Sequence, residues 1–195
     1  EILIGSYSFH PNVGGIEKVT AMLATEFFRM GHEAKVVTGT PFSGEEPFDF
    51  KVIRDPGVLR LIKEVVWCDV FFHNEMSLKI AWPLLFIRRP WIITHNTWFF
   101  PTGERIKWRA KLKLFLCRFA VNVSGSNAIA DTIGVVSSVL PPPYRDDIFI
   151  EREKADRSRE LVFAGRLVSD KGVDILIKAL GELKRKGYSP KLAIV

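Results

Sequence analysis

The chain has few cysteines and no long hydrophobic run. Each of these two features disfavours certain classes of protein. Its two cysteines, Cys68 and Cys117, are far apart in 195 residues and match no metal-binding spacing. We expect them to be buried thiols in a reducing compartment, in a protein that holds no metal. No stretch reaches the roughly 18 apolar residues that span a bilayer, and no signal peptide opens the chain. These features indicate a cytoplasmic protein.

Three familiar catalytic signatures are also missing, and each absence disfavours one class of enzyme. A Gly-x-Gly-x-x-Gly loop directly after the first predicted strand would indicate a nicotinamide-dependent dehydrogenase, but the glycine pair comes later, at the start of the helix. The Gly-x-x-x-x-Gly-Lys-Ser/Thr loop of P-loop ATPases is absent. So is the Gly-x-Ser-x-Gly turn of the α/β-hydrolases.

The sequence does carry an excess of positive charge, and one segment concentrates it. The formal net charge is +6 and the pI is about 9.4. Residues 104–118 set six cations against one acid, with apolar residues between them: Arg105, Lys107, Arg109, Lys111, Lys113 and Arg118. This pattern fits an amphipathic helix with a solvated face, or a helix that lies on anionic lipid or steers an anionic lipid-linked substrate. No motif of a nucleic-acid-binding protein accompanies the charge, so we expect no nucleic acid partner.

Short apolar runs alternate with segments of helical periodicity along almost the whole chain. The predicted strands are residues 2–4, 34–38, 51–54, 69–72, 91–94, 120–124, 135–140, 161–164 and 192–195. The predicted helices are residues 16–30, 58–67, 76–87, 104–117, 126–133 and 173–186. Pro83 can shorten the third helix, and Ser126 can cap the fifth. This alternation is typical of an α/β fold with a doubly wound, Rossmann-like parallel sheet.

A proline run and a polar stretch divide this pattern in two. Three prolines at residues 141–143 are followed by a highly charged stretch at residues 151–159, after which the strand–helix–strand order begins again. We therefore predict an amino-terminal Rossmann-like domain over residues 1–150. Residues 151–195 would then form a linker and the first βαβ unit of a truncated second domain.

Two sets of polar residues in the first domain are predicted to lie beyond the carboxyl ends of strands, where parallel sheets bind ligands. Gly14 and Gly15 let a ligand approach bare backbone N–H groups at the start of the first helix, or simply form a tight turn. His95 could contact a substrate hydroxyl or cap its strand. Glu75, which follows His73, is a candidate general base or a helix N-terminal carboxylate.

A third set is the basic pair Arg166 and Lys171, five residues apart between a predicted strand and a predicted helix. Gly165 and Gly172 flank the pair. Backbone N–H groups and the helix dipole favour an anion at such a position, and two cations can complete a diphosphate site. The alternative is ordinary surface charge.

Together these motifs resemble a known enzyme family. Residues 11–17 (Pro-Asn-Val-Gly-Gly-Ile-Glu) and 31–38 (Gly-His-Glu-Ala-Lys-Val-Val-Thr) resemble the opening of a GT-B glycosyltransferase of family 4. Residues 123–126 and 164–180 resemble later segments of the same family, in the same order. The stretch Ala-Gly-Arg-Leu-Val-Ser-Asp-Lys-Gly is the most specific of these, and the resemblance extends over nearly the whole chain.

The resemblance implies two Rossmann-like domains, the first binding mainly the acceptor and the second mainly a nucleotide-sugar donor. It implies that Gly14 and Gly15 lie near the donor phosphate and sugar and that His95 contacts the transferred sugar. It also implies that Arg166 and Lys171 hold the donor diphosphate. Such enzymes usually retain the anomeric configuration and need no metal where side chains supply the positive charge. A cell-envelope polysaccharide or a lipid-linked glycan is the expected acceptor.

Two further expectations concern completeness and activity. The glutamate pair with which the family grips the donor sugar and ribose would lie beyond Val195, so we expect this stretch alone to be a poor enzyme. The main alternative is a non-catalytic nucleotide-sugar-binding or regulatory module of the same fold. A sugar-nucleotide epimerase with the GT-B fold is another.

Overall fold

A computed structural model of the chain describes residues 1–98, 108–150 and 159–195. The chain divides into two compact units, Glu1–Arg145 and Asp146–Val195. Each unit contains its own parallel sheet.

The first unit is built on a seven-stranded sheet in which every neighbouring pair is parallel. Its strands are β1 (Ile2–Gly5), β2 (Ala34–Thr38), β3 (Lys51–Arg54), β4 (Val70–Asn74), β5 (Trp91–His95), β6 (Val121–Ser124) and β7 (Ser137–Val139). Their spatial order is β3-β2-β1-β4-β5-β6-β7. The chain reverses its direction of winding between β1 and β4, and open parallel sheets bind their ligands at the carboxyl side of such a switch point.

Helices connect most of these strands. They are α1 (Gly15–Arg29), α2 (Val58–Trp67), α3 (Leu78–Ala81), α4 (Trp108–Cys117) and α5 (Asn127–Ile133). The predicted cap of α5 is confirmed, because the Ser126 hydroxyl accepts a hydrogen bond from the Ile129 N–H at 3.3 Å. The same helix ends at Gly134, whose φ of 64° suits a residue without a Cβ.

Alternation of side chains along the strands gives the sheet two apolar faces. The residues Leu3, Phe71 and Ile93 are fully buried on the face that packs against α2, α3 and α4. Ile4 is fully buried on the opposite face, where it packs near Ala24 of α1. Because central strands are covered on both sides, they appear in the sequence as continuous apolar runs.

The second unit contains one βαβ element in the part of the chain that the structure describes. β8 (Leu161–Phe163) pairs with β9 (Leu192–Ile194), and α6 (Val173–Arg185) connects them. A 3₁₀ turn, Ser169–Lys171, precedes the helix. Gly172 joins the turn to α6 with a φ of 70°, a conformation that a side chain would strain.

The predicted doubly wound parallel sheet is confirmed, and most elements lie within two residues of their predicted bounds. The clearest difference is at residues 76–87, where the prediction was a helix that Pro83 could shorten. The structure has the short α3 and then a 3₁₀ turn, Trp82–Leu85. Pro83 lies at the start of that turn, where its missing N–H and its ring prevent the α-helix from continuing. The first part of the predicted helix 104–117 lies outside the described residues.

Candidate functional site

The carboxyl ends of β4 and β5 carry a group of polar side chains, and the sheet divides that group between its two faces. Parallel pairing places His73 level with Ile93, and Asn74 level with Thr94. Because successive side chains of a strand point to opposite faces, His73 and His95 lie on the face covered by α2 to α4. Asn74 and Thr94 lie on the face covered by α1.

His95, which the resemblance assigns to sugar contact, is fully buried at the end of β5. Its Nε2 lies 2.9 Å from Asn122 Oδ1. The Asn122 amide nitrogen donates to the carbonyls of Cys117 and Ala120, so Oδ1 is the acceptor and His95 Nε2 carries the proton. Burial lowers the pKa of His95, although the bond to Asn122 opposes the shift. The imidazole is therefore neutral near neutral pH, and its contact with a sugar stays a prediction.

His73 is also fully buried and has a different partner. Its Nε2 accepts a hydrogen bond of 3.0 Å from the Ser77 N–H, just before α3. The proton therefore sits on Nδ1, for which the described residues provide no hydrogen-bond partner. Burial lowers the pKa of His73 to about 3, and the nearby charge of Lys113 acts in the same direction. His73 is thus a neutral acceptor that positions the start of α3.

A fully buried asparagine connects α1 to the loops that follow β4 and β5. Asn74 Nδ2 donates to Thr20 Oγ1 at 2.7 Å and to the Ile16 carbonyl at 3.1 Å. Its Oδ1 accepts from Thr94 Oγ1 at 2.8 Å and from Asn96 Nδ2 at 3.0 Å. Both amide hydrogens and the amide oxygen are therefore bonded, and the side chain fixes three segments at the switch point of the sheet.

The next residue, Glu75, is a half-buried carboxylate on a strained backbone. Its φ of 61° lies in the left-handed region, which costs a non-glycine residue about 1–2 kcal/mol. The carboxylate accepts hydrogen bonds from the backbone N–H groups of Asn96 and Thr97 and from Thr97 Oγ1. Burial raises the pKa of Glu75, while these bonds and the charge of Lys113 oppose the rise. Glu75 therefore anchors the loop after β5 rather than the start of a helix.

Within the described part of the basic segment, one cation faces the protein interior and the others face solvent. Lys113 turns inward and is half-buried; burial lowers its pKa, and Glu75 opposes that shift. The exposed side chains of residues 108–119 combine cations with aromatic rings: Trp108, Arg109, Lys111, Phe115, Arg118 and Phe119. None of the helices described in residues 1–98, 108–150 and 159–195 has the length and apolar character of a bilayer-spanning segment.

The predicted glycine pair lies at the start of α1. Gly14 is the extended residue before the helix, and no side chain among the described residues caps the helix there. An added Cβ at Gly15 would meet no atom within 4 Å, so the space beside it is open. The Glu17 carboxylate lies against Gly14 and accepts a 2.5 Å hydrogen bond from Ser8 Oγ. The first turn of α1 thus offers backbone N–H groups beside open space.

An open pocket of about 310 Å³ lies next to this loop, at the carboxyl ends of β1 and β2. It is lined by Tyr7, Ser8, Pro11, Asn12, Gly39, Thr40 and Pro41. The lining comes from the two loops that follow β1 and β2.

In the second unit, the predicted phosphate ligands share one exposed loop. Arg166 and Lys171 are both solvent-exposed. The Val168 N–H donates to the Arg166 carbonyl at 2.9 Å, and the Lys171 N–H donates to the Val168 carbonyl at 3.0 Å. Gly172 then opens α6 without a side-chain cap among the described residues. The loop therefore presents two cations beside the N-terminus of a 13-residue helix, as the sequence predicted; their role as diphosphate ligands stays a prediction.

A metal site is not evident in the described ranges, where no three histidine, cysteine, aspartate or glutamate side chains group as metal ligands do. The two thiols are also unlike metal ligands, because burial raises the pKa of both Cys68 and Cys117 to about 11.

The sheet order defines a doubly wound, Rossmann-like α/β fold. A crystal structure with this fold is that of WaaG, a glycosyltransferase involved in lipopolysaccharide biosynthesis. The two folds agree with a TM-score of 0.66 and 17% sequence identity, over 100% of this chain and 62% of that one. The chain thus spans 62% of the length of this structural relative, and the likeness establishes the fold. No protein-family model and no curated protein matches the sequence.

Proposed function

We propose that this protein transfers a sugar, of the hexose type, from a nucleotide-sugar donor to an acceptor hydroxyl, with retention of the anomeric configuration. The observation that carries the proposal is the exposed loop of Arg166 and Lys171 at the start of α6, on a GT-B fold. A fold alone does not specify a reaction. A guanidinium, an ammonium and an uncapped helix N-terminus in one loop, however, suit a diphosphate.

The proposed reaction is a displacement at the anomeric carbon of the donor. The bond from this carbon to the diphosphate oxygen breaks, and its electron pair leaves with the diphosphate. A bond to the acceptor oxygen forms on the same face of the sugar, and the acceptor's proton passes to the departing diphosphate. Arg166 and Lys171 stabilise the negative charge that develops on the leaving group, a role that a metal ion has in other enzymes. Gly14 and Gly15 are proposed to approach the donor phosphate and sugar.

The acceptor that we propose is a cell-envelope polysaccharide or a lipid-linked glycan. The family resemblance supports this class, and the structural relative takes part in lipopolysaccharide biosynthesis. The exposed cations and aromatic rings of α4 suit such an acceptor, because they can contact an anionic membrane surface peripherally. We accordingly place the protein at the inner face of the membrane.

Vesicle binding tests the membrane contact. We expect the protein to sediment with vesicles of phosphatidylglycerol and phosphatidylcholine at low salt, and to be released as salt screens the attraction. Lys111→Glu and Arg118→Glu should weaken the binding, whereas Lys186→Glu, at the far end of α6, serves as the matched control. Equal binding to vesicles without anionic lipid would contradict the proposal.

A second candidate function is a binding module that holds a nucleotide sugar without transferring it. The burial of His95 favours this alternative, since a fully buried imidazole cannot touch a sugar unless β5 or its loop moves.

One experiment separates the two candidates. The full-length protein is incubated with UDP- and GDP-linked hexoses, and both donor binding and release of nucleoside diphosphate are measured. A transferase binds the donor, releases diphosphate and loses both properties in Arg166→Ala and Lys171→Ala, while Lys186→Ala retains them. Binding without release supports the module. Absence of binding overturns both.

A further inference from the structure

Two non-glycine residues in the described ranges have a left-handed backbone, Asp55 with a φ of 39° and Glu75 with a φ of 61°. Aspartate tolerates this conformation because its short side chain can bond to the nearby backbone, whereas the longer glutamate lacks that compensation. Such strain persists only where the surrounding structure enforces it, and it is concentrated at functional sites. The backbone of Glu75 therefore indicates a role beyond the stability of the fold.

The bonds of Glu75 show what its backbone and side chain do. Glu75 directly follows β4, where the sheet changes its direction of winding. Its N–H donates to the Thr94 carbonyl of β5 at 3.1 Å. Its carboxylate accepts from the N–H groups of Asn96 and Thr97 and, at 3.1 Å, from Thr97 Oγ1. Because these donors converge on one carboxylate, the side chain fixes the loop after β5 relative to the switch point.

This arrangement is unfavourable for the fold as a whole. Burial disfavours the charged carboxylate and raises the pKa of Glu75, and the nearby charge of Lys113 opposes that rise without cancelling it. The left-handed backbone adds strain. A neutral side chain of the same shape would avoid the cost of burying a charge. A residue that lowers stability while it orders a loop at a ligand-binding edge is typical of a site organised for function.

The loop that Glu75 fixes has two exposed residues next to each other, Thr97 and Trp98. Trp98 is the larger, and it is 60% exposed. The base of the loop is fixed on its other side as well, because the His95 carbonyl accepts from the Gly125 N–H at 2.9 Å, just after β6. The loop thus has a rigid base and an aromatic ring that is open to a ligand.

We propose that Glu75 is a positioning residue for sugar transfer: through its bonds to Asn96 and Thr97 it places the exposed ring of Trp98 against the substrate. In this role Glu75 acts through the loop and does not touch the reacting atoms. A contact that is misplaced by about 1 Å can lower a rate about a hundredfold, so the position of the loop matters for turnover. The inference rests on the proposed function, because it concerns the same reaction.

The test measures turnover and unfolding of the full-length protein in parallel. Glu75→Gln keeps the shape of the side chain but replaces one carboxylate oxygen with an amide group that cannot accept from an N–H. For the nucleotide-linked hexose that the wild type uses, we expect kcat to fall about tenfold to a hundredfold and the donor KM to change less than about twofold. The free energy of unfolding at neutral pH should stay equal or rise, since a buried charge is removed.

Asp55→Asn is the matched control. It makes the same exchange of carboxylate for amide at the other left-handed position, where the side chain is exposed. This variant should keep the wild-type kcat. An unchanged kcat in Glu75→Gln, or a kcat that falls only together with stability, overturns the inference.

The pH dependence of kcat separates positioning from support of the fold. Protonation of Glu75 weakens its bonds to the loop, so the kcat of the wild type should fall as the pH drops through the folded pKa, although the contribution of Glu75 to stability then rises. The other described titratable groups at this edge are Lys113 on α4, His73 on β4 and His95 on β5, all with lowered pKa values. Glu75→Gln should lack the acid decline. The same decline in both proteins would contradict the inference.

A double variant tests whether Glu75 acts through the loop. Trp98→Ala should lower kcat by itself, and adding Glu75→Gln should lower it little further, because the ring that Glu75 positions is then absent. Losses that multiply would overturn the inference. If the wild type releases no diphosphate, the proposed function falls and this inference with it. If the wild type turns over and Glu75→Gln does so equally, this inference alone falls.

Discussion

The polar groups that follow β4 and β5 are buried and bonded to one another, whereas the cations that follow β8 are exposed. Both groups lie at or just beyond the carboxyl end of a parallel strand. In the first group, Asn74 makes four hydrogen bonds and His95 Nε2 is bonded to Asn122, so these polar atoms are paired inside the protein. In the second, Arg166 and Lys171 reach solvent beside an uncapped helix start. Position at the end of a strand thus does not decide whether a polar side chain is bonded inside the protein or exposed to solvent.

The largest effect that we predict is on stability, at Asn74. Asn74→Ala would remove four hydrogen bonds at a fully buried position, and should lower the free energy of unfolding by about 3 kcal/mol. Urea denaturation measures this loss. The control is Asn127→Ala, at an exposed position in the first turn of α5, which should change stability by no more than about 0.5 kcal/mol. Equal losses of unfolding free energy in the two variants would contradict the proposed difference between buried and exposed polar groups.

Acid should destabilise the protein through His73. In the unfolded chain this histidine takes up a proton near pH 6.5, but in the folded protein it remains neutral down to a pKa of about 3. The unfolded state therefore binds more protons as the pH falls, and stability is lost with it. Between about pH 7 and about pH 5 the wild type should lose about 2 kcal/mol more than His73→Gln does. An identical loss in both proteins would show that His73 does not carry the effect.

A smaller effect, of opposite sign, is expected at Glu75. Burial raises the pKa of this carboxyl, so its contribution to stability is greatest in acid and declines as the pH rises through the folded pKa. Glu75→Gln removes that decline, and the stability of the variant relative to wild type should increase from acid to neutral pH. The amides of Asn96 and Thr97 should exchange faster in the variant. A relative stability that falls with pH would contradict this account.

The smallest effect on stability should come from the exposed loop. Arg166→Ala and Lys171→Ala remove solvated side chains, so each should shift the free energy of unfolding by no more than about 0.5 kcal/mol. Thermal denaturation provides the measurement. A large loss at either position would mean that the cation supports the fold, and any effect of that variant on ligand binding would then lose its meaning.

Much of the fold could be predicted from the sequence, because buried parallel strands and amphipathic helices have clear periodicities. The N-cap at Ser126 could also be predicted from the sequence. The helix predicted over residues 76–87 is shorter than its apolar periodicity indicates, and Pro83, which was expected to be able to shorten it, lies where the α-helix ends.

The site was less predictable, because side-chain direction decides it. His95 was expected to contact a substrate hydroxyl or to cap its strand, and strand parity places it, with His73, on the face covered by α2 to α4. No role was predicted for Asn74, although it follows His73 directly. Its side chain lies on the opposite face of the sheet and links three segments. Lys113 was counted with the exposed cations, and only the packing of α4 reveals that it turns toward Glu75.

The most direct test of the central claim is calorimetric titration of the protein with UDP and GDP. We predict that one of them binds, that Arg166→Ala and Lys171→Ala each weaken it at least about tenfold, and that Lys186→Ala binds as wild type does. Equal affinity in all four proteins, or binding by none, would show that the loop after β8 is not a diphosphate site.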